Sequence, residues 1–157
     1  MVGAAGSGKS TFARRHVDES AVISSDRTRE LIAGSEADQS ANETVFERLH
    51  QAVEDRLHAG VLTVVDATNT EWMRRAELVA RGRRFGRPVV AIVLDLPEEV
   101  CLVRNAARLR RVKPGVVRQQ LADLRHTGAD LDLEGFTAVY RLRSEADVEA
   151  AQVSVAS

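Results

Sequence analysis

The sequence predicts an α/β fold: a parallel sheet with helices on both faces. Three observations carry that expectation. Short apolar segments alternate with longer segments of helical periodicity. The short segments are apolar throughout rather than at every second position, which suits strands buried on both faces. A glycine-rich loop, Gly3 to Ser10, leads directly into a helical pattern.

The elements follow in order. Lys9 to about His16 reads as a helix, and Val22 to Ser24 as a short β-branched strand. Ala41 to Ala59 reads as a helix, with Val45, Phe46, Leu49, Ala52, Val53 and Leu57 on one face and Gly60 ending it. Val61 to Val65 is expected to be a buried strand. Thr70 can cap a helix running to about Phe85, which Gly86, Arg87 and Pro88 break. Val89 to Leu94 is a second buried strand. Glu98 to Arg111 and Val116 to Leu124 read as helices, and Ala138 to Leu142 as a late strand. Ligands of such sheets bind at the carboxyl ends of the strands.

Composition narrows the class. A chain of 157 residues, 44% hydrophobic and 29% charged, suits one globular domain spanning 1–157 and argues against disorder. No apolar run is long enough to span a membrane as a helix, and the glycine loop leaves no room for a signal peptide, so a cytoplasmic location is expected. Cys101 is the only cysteine, which rules out an internal disulfide and argues against a cysteine-based zinc site. The net charge of -1 excludes a uniformly basic nucleic-acid binder, and 4% aromatic content weakens a base-stacking platform. Lys9 and Lys113 are the only lysines among 22 basic residues, so a lysine at position 9 invites a physical reason.

That reason is local. Gly3-Ala4-Ala5-Gly6-Ser7-Gly8-Lys9-Ser10, followed by Thr11, fits the Walker A pattern of the P-loop. The glycines let backbone amides wrap around phosphates, and the next helix points its N-terminal amides at the same anion. Lys9 supplies a compact positive charge to the β- and γ-phosphates of a nucleoside triphosphate such as ATP, and Ser10 a hydroxyl to Mg²⁺. Only Met1 and Val2 precede Gly3, so the first strand is read as truncated.

Two acids follow strands. Asp26, in Ser24-Ser25-Asp26-Arg27-Thr28-Arg29, sits where a carboxylate can take the proton of an attacking hydroxyl; on spacing alone it can equally be a helix N-cap. Arg29, one turn later, can grip an acceptor phosphate. Asp66, in Val64-Val65-Asp66-Ala67-Thr68-Asn69, stands where P-loop proteins place a metal-holding acid; it can hold Mg²⁺ through water or orient Arg29. Thr68 and Asn69 read as a turn. From Cys101 to Arg118 there are six basic residues and no acid, and Arg104, Arg108 and Arg111 share one face if the helix is continuous. A face without local acids suits phosphates; it also suits plain solvent.

The order GAAGSGKST, ISSDRTR, VVDATN, CLVRNAARLRR, GVVRQQLADL and EGFTAVY resembles the 5′-hydroxyl polynucleotide kinase module of bacterial polynucleotide kinase-phosphatases, and more distantly the phage polynucleotide kinase. The resemblance runs from Gly3 to about Leu142. It implies a P-loop kinase fold with an arginine-bearing lid at about 104–118, and transfer of a γ-phosphate to a 5′-hydroxyl end of RNA or DNA, in nucleic-acid repair. It implies that Gly3, Gly6, Ser7, Gly8, Lys9, Ser10 and Thr11 bind the nucleotide, with Ser10 and Asp66 at the metal. It makes Asp26 the base for the hydroxyl and Arg29 the holder of the neighbouring phosphate, and it places Arg104 and Arg108 on the donor phosphates. Arg111 is a looser match. In that family the module accompanies phosphatase and ligase modules, so partners of that kind are implied.

Two rivals remain at this point: a small-molecule kinase on the same fold, acting on a sugar, antibiotic or nucleotide-sugar, and a nucleotide-binding module without turnover. Other residues promise less. His16, His50, His58 and His126 are expected at exposed helix positions, Cys101 and Trp72 in packing. The Arg81, Arg83, Arg84 and Arg87 cluster can track a nucleic-acid strand or simply close a helix.

Overall fold

A computed structural model describes residues 1–33, 42–128 and 130–154. The strands are β1 (Val22–Ser24), β2 (Val64–Asp66), β3 (Val90–Leu94) and β4 (Ala138–Leu142). The helices are α1 (Lys9–His16), α2 (Ser25–Ala33), α3 (Asn42–Ala59), α4 (Trp72–Arg84), α5 (Glu98–Ala106), α6 (Pro114–Gly128) and α7 (Glu145–Ala150). Ala41, expected in the third helix, lies outside the described residues.

β1 pairs in parallel with β2, and β3 with β4. Residues 1–3 lie between the two pairs. The Met1 nitrogen donates to the Val65 carbonyl at 3.0 Å, and the Gly3 N–H to that of Thr68 at 2.9 Å. On the other side Val2 bridges in parallel to Val93, donating to Ile92 at 2.9 Å and accepting from Leu94 at 2.8 Å. The order across is therefore β1, β2, residues 1–3, β3, β4. The loop leaving the central position faces a crevice, because the neighbouring connections run off in opposite directions. This is the expected α/β arrangement of parallel strands and helices, with the first strand reduced to a single bridge.

β3 is buried on both faces, Ala91 and Val93 on one and Leu94 on the other. One core cluster joins Ala4, Ala5, Leu96, Cys101, Val117 and Leu121, so α5 and α6 pack directly behind the glycine loop. A second joins Val2, Ala91, Val93, Leu124 and Leu131. Each valine or leucine of these clusters contributes about 1.5–3 kcal/mol by leaving water. The α3 stripe is half realised as a core, with Val45, Leu49 and Val53 buried.

Several boundaries differ from expectation, each for a local reason. Val61 and Leu62 are exposed rather than in a buried strand. β1 begins only at Val22, opposite Val64, so 61–63 has no strand partner; instead the Arg56 guanidinium donates to the Leu62 carbonyl and the Thr63 hydroxyl. The fifth helix stops at Ala106, not Arg111, because the Asn105 side chain captures the backbone of Val112. Arg104, Arg108 and Arg111 therefore share no continuous helical face. Pro114 then opens α6, two residues before the expected start, at a position where its fixed φ and missing N–H cost nothing. Glu71, not Thr70, precedes α4; Thr70 is buried and its carbonyl accepts from Arg75.

Side-chain expectations also divide. Cys101 is fully buried, as read. Trp72 is not packed: it stands one turn before the buried stripe Arg75, Val79, Gly82 and is 54% exposed. His58 and His126 are exposed, but His16 is half-buried against the Phe12 ring and His50 lies 3.3 Å from Glu77. The second arginine cluster closes a helix pair: Arg81 and Arg84 both reach Glu54 of α3. No helix of the described residues is long and apolar enough to cross a membrane.

Candidate functional site

The loop Gly3–Ser10 folds as the sequence requires. Gly6 has φ +83, and a Cβ there would lie 2.1 Å from the Cys101 carbonyl oxygen. A Gly6→Ala substitution is therefore expected to cost at least about 1–3 kcal/mol from the left-handed backbone alone, with α5 displaced besides. A thermal midpoint unchanged from wild type would contradict it. The Lys9 ammonium donates to the carbonyls of Gly3 and Ala4, both at 2.8 Å, and to the Ser7 hydroxyl at 3.4 Å. It is 8% exposed. Burial lowers its pKa to about 8, with nearby Asp66 opposing that shift and Arg108 adding to it.

A cavity of about 700 Å³ opens over this loop, and Gly6, Gly8, Lys9, Ser10 and Thr11 line it. Asp26, Asp66, Arg104 and Arg108 line it as well. Four separate stretches of chain thus converge on one space. Gly3 and Ser7 are buried behind the loop and do not line the cavity. Gly3 supports it instead, through its bond to Thr68 and its carbonyl on Lys9.

Asp26 lies in the first turn of α2, but it is not the cap. The Ser24 hydroxyl takes that place and accepts from the Arg27 N–H at 3.4 Å. The carboxylate is left to three arginines. Arg29 reaches Oδ1 at 3.0 Å, Arg110 the same oxygen at 2.5 Å, and Arg108 lies 3.6 Å from Oδ2. Arg29 is 7% exposed and does not line the cavity; it orients Asp26 from beneath. Arg104 pairs with Glu145 of α7 while its guanidinium lies beside Gly8. Arg111 is exposed, away from Asp26.

A family model described as an AAA domain matches residues 1–127, from the glycine loop through almost all of α6. The chain belongs to that family. It is a P-loop kinase-like family, and its members are generally phosphotransferases that typically use ATP and Mg²⁺. No curated protein matches the chain.

The residues fit a family ligand of that kind. The two hard oxygen donors, Ser10 and Asp66, line the same cavity as Lys9, together with Gly6 and Gly8 of the loop. A bound magnesium ion would supply positive charge to offset that of the phosphates. Ser10 and Asp66 would hold it.

Four site features escape a reading of the sequence. Arg110 is the closest partner of Asp26, across 84 residues. The Gln120 side-chain oxygen accepts from the Ala5 N–H at 2.9 Å, tying α6 to the phosphate loop. Asn105 closes the arginine loop. Arg75 is 1% exposed and pairs with Glu134 while donating to the carbonyls of Asn69 and Thr70. That bond set fixes the turn carrying Thr68, on which Gly3 hangs. A continuous pattern does not mark any of the four, because each depends on a contact between distant segments.

Proposed function

We propose that this P-loop kinase-like protein is a polynucleotide 5′-hydroxyl kinase, moving the γ-phosphate of a nucleoside triphosphate onto a 5′-hydroxyl end of RNA or DNA in nucleic-acid repair. One observation carries the reading. The donor cradle and an acid suited to an attacking hydroxyl share one cavity, and that acid is ringed by arginines. Arg108 of that ring lines the cavity together with Arg104, and cations so placed suit an acceptor flanked by its own phosphate better than a neutral sugar.

In this reading Lys9 and the loop amides hold the β- and γ-phosphates. Asp26 aligns the 5′-hydroxyl and takes its proton as that oxygen bonds to the γ-phosphorus. The bond from phosphorus to the bridging β-γ oxygen breaks, and the nucleoside diphosphate leaves. The transition state is loose, so Arg104 and Arg108, together with Lys9, matter through charge and position more than through bond-making.

The test is γ-labelled ATP with Mg²⁺ and matched oligonucleotides ending in 5′-hydroxyl or 5′-phosphate, beside free nucleosides and sugars. Label confined to the 5′-hydroxyl oligonucleotide is expected. Label on a free sugar or nucleoside alone would replace this reading with that of a small-molecule kinase.

Lys9 adds a pH signature. In the ligand-free protein it holds its proton below about 8 and loses it above. A polyphosphate favours the charged form and raises that pKa in the complex. Mg-ATP affinity is therefore expected to be full below pH 8 and to fall by up to about tenfold per pH unit above it. Calorimetric titration between pH 7 and 9.5 checks this; a flat profile would contradict it.

A further inference from the structure

Two of the three arginines that meet Asp26, Arg108 and Arg110, do not stand on a helix. They sit on residues 107–113, an irregular loop between α5 and α6. This loop brings one apolar anchor, Val112 at its far end, partly buried against the core cluster; Ala107 and Leu109 are exposed. Yet Arg108 and Arg110 are held against a carboxylate 84 residues away from Arg110. The arginine stretch needs a further contact to fix it, since a free loop of this length samples many conformations and loses that freedom when ordered.

Asn105, 3% exposed, supplies the fixing contact. Its side-chain Nδ2 donates to the Val112 carbonyl at 2.7 Å, and its Oδ1 accepts from the Val112 N–H at 3.0 Å. The amide thus mimics one rung of a strand pairing and closes the loop at its far end. The other side of Asn105 meets the phosphate loop: a Cβ on Gly6 would fall 3.1 Å from the Asn105 nitrogen. One residue therefore lies beside the donor loop with its backbone and clamps the arginine loop with its side chain. The amide chemistry is specific. A carboxylate cannot donate and would face the Val112 carbonyl, and an alanine leaves both Val112 groups without these partners.

We infer that Asn105 is a positioning residue, which holds Arg108 and Arg110 on Asp26, and Arg108 at the phosphate cavity, through its paired contact with Val112. The inference rests on the kinase reading only for its effect on turnover; the clamp itself is tested separately.

Trypsin reads the clamp directly, because it cuts after arginine and the loop carries Arg108, Arg110 and Arg111. Asn105→Asp is expected to be cut in this loop at least about tenfold faster than wild type, the equivalent of losing roughly 1.4 kcal/mol of closure. In the wild type, hydrogen exchange at the Val112 amide is expected to be slower than at the Leu109 amide, a comparison that needs no variant to fold. For turnover, Asn105→Asp is expected to lower kcat on a 5′-hydroxyl oligonucleotide by about 10²-fold, as a misplaced group does, with KM for Mg-ATP changed far less. Added to a variant that already carries Arg108→Ala and Arg110→Ala, Asn105→Asp is expected to cost nothing further, since a residue acting through these two arginines has nothing left to position.

Unchanged tryptic cleavage, a Val112 amide as labile as that of Leu109, or a further loss from Asn105→Asp when both arginines are already alanine would each overturn the inference. If wild-type protein labels no oligonucleotide, the acceptor reading above falls, while the cleavage and exchange results still decide the clamp.

Discussion

An Asp26→Asn variant is expected to bind Mg-ATP like the wild type and to transfer phosphate about 10²–10⁴-fold more slowly. The substitution keeps the shape and one acceptor oxygen for the surrounding guanidinium groups, which number three at Asp26. It removes the negative charge and the capacity to take a proton. Because phosphoryl transfer is loose, most of the loss should come from misalignment of the hydroxyl rather than from base strength. Asp26→Glu, which retains the proton acceptor but moves it by a methylene, should therefore remain well below wild type. ATP binding should survive because Asp26 belongs to α2, whereas Lys9 and Ser10 lie at the start of α1. Labelling assays at saturating ATP, beside a titration of Mg-ATP binding, separate the two effects. Equal labelling by the Asn variant would remove Asp26 from the mechanism.

Arg75→Met is expected to destabilise the protein by about 3–5 kcal/mol, close to half of the stability of many domains. All five guanidinium N–H groups have acceptors. Two go to Glu134, at 2.7 and 2.5 Å, and the others to the Asn69 carbonyl, the Thr70 carbonyl and the Thr127 hydroxyl. Removing the arginine leaves a buried carboxylate without its cation and two carbonyls without this donor. Most of the cost is the orphaned charge. Arg75→Met combined with Glu134→Leu is therefore expected to regain much of the loss, since well-packed apolar pairs often replace buried ion pairs at little cost. Urea unfolding of the two singles and the double measures it. A single variant within about 1 kcal/mol of wild type would show the pair to be dispensable. The same network supports the turn at Thr68 and Asn69, so a destabilised Arg75 variant should also loosen the hold of Thr68 on Gly3.

The phosphate loop was legible from eight consecutive residues, because its geometry is local. Glycines that need positive φ, a lysine and a hydroxyl at fixed offsets, and a helix directly behind them describe a shape without any distant partner. The same holds for the parallel sheet, which the apolar strands announce through burial on both faces. Asp26 was legible as a position, at the end of a strand. Its freedom from capping was not, since that depended on whether the Ser24 hydroxyl took the cap.

The basic run shows the limit. Periodicity joined Arg104, Arg108 and Arg111 into one helical face. A side chain then competed with the backbone: Asn105 bonded to Val112, the helix ended at Ala106, and the arginines took different partners. Arg108 and Arg110 went to Asp26, and Arg104 to Glu145. Competition between an amide side chain and the helical ladder is settled by where the rest of the chain packs, which no window of sequence contains.

By itself, then, the sequence determined the parallel α/β class, the phosphate loop with Lys9 and Ser10, and the acids at the strand ends. Each depends on a few neighbouring residues, where backbone sterics and burial pattern act over a short range. Only the tertiary structure decided that Arg110 meets Asp26, that Gln120 holds Ala5, and that Arg75 is buried on Glu134. Those contacts join segments 59 to 115 residues apart. Charge and hydrogen-bonding capacity are written in the sequence, but the choice of partner follows from which surfaces the packed core brings within reach.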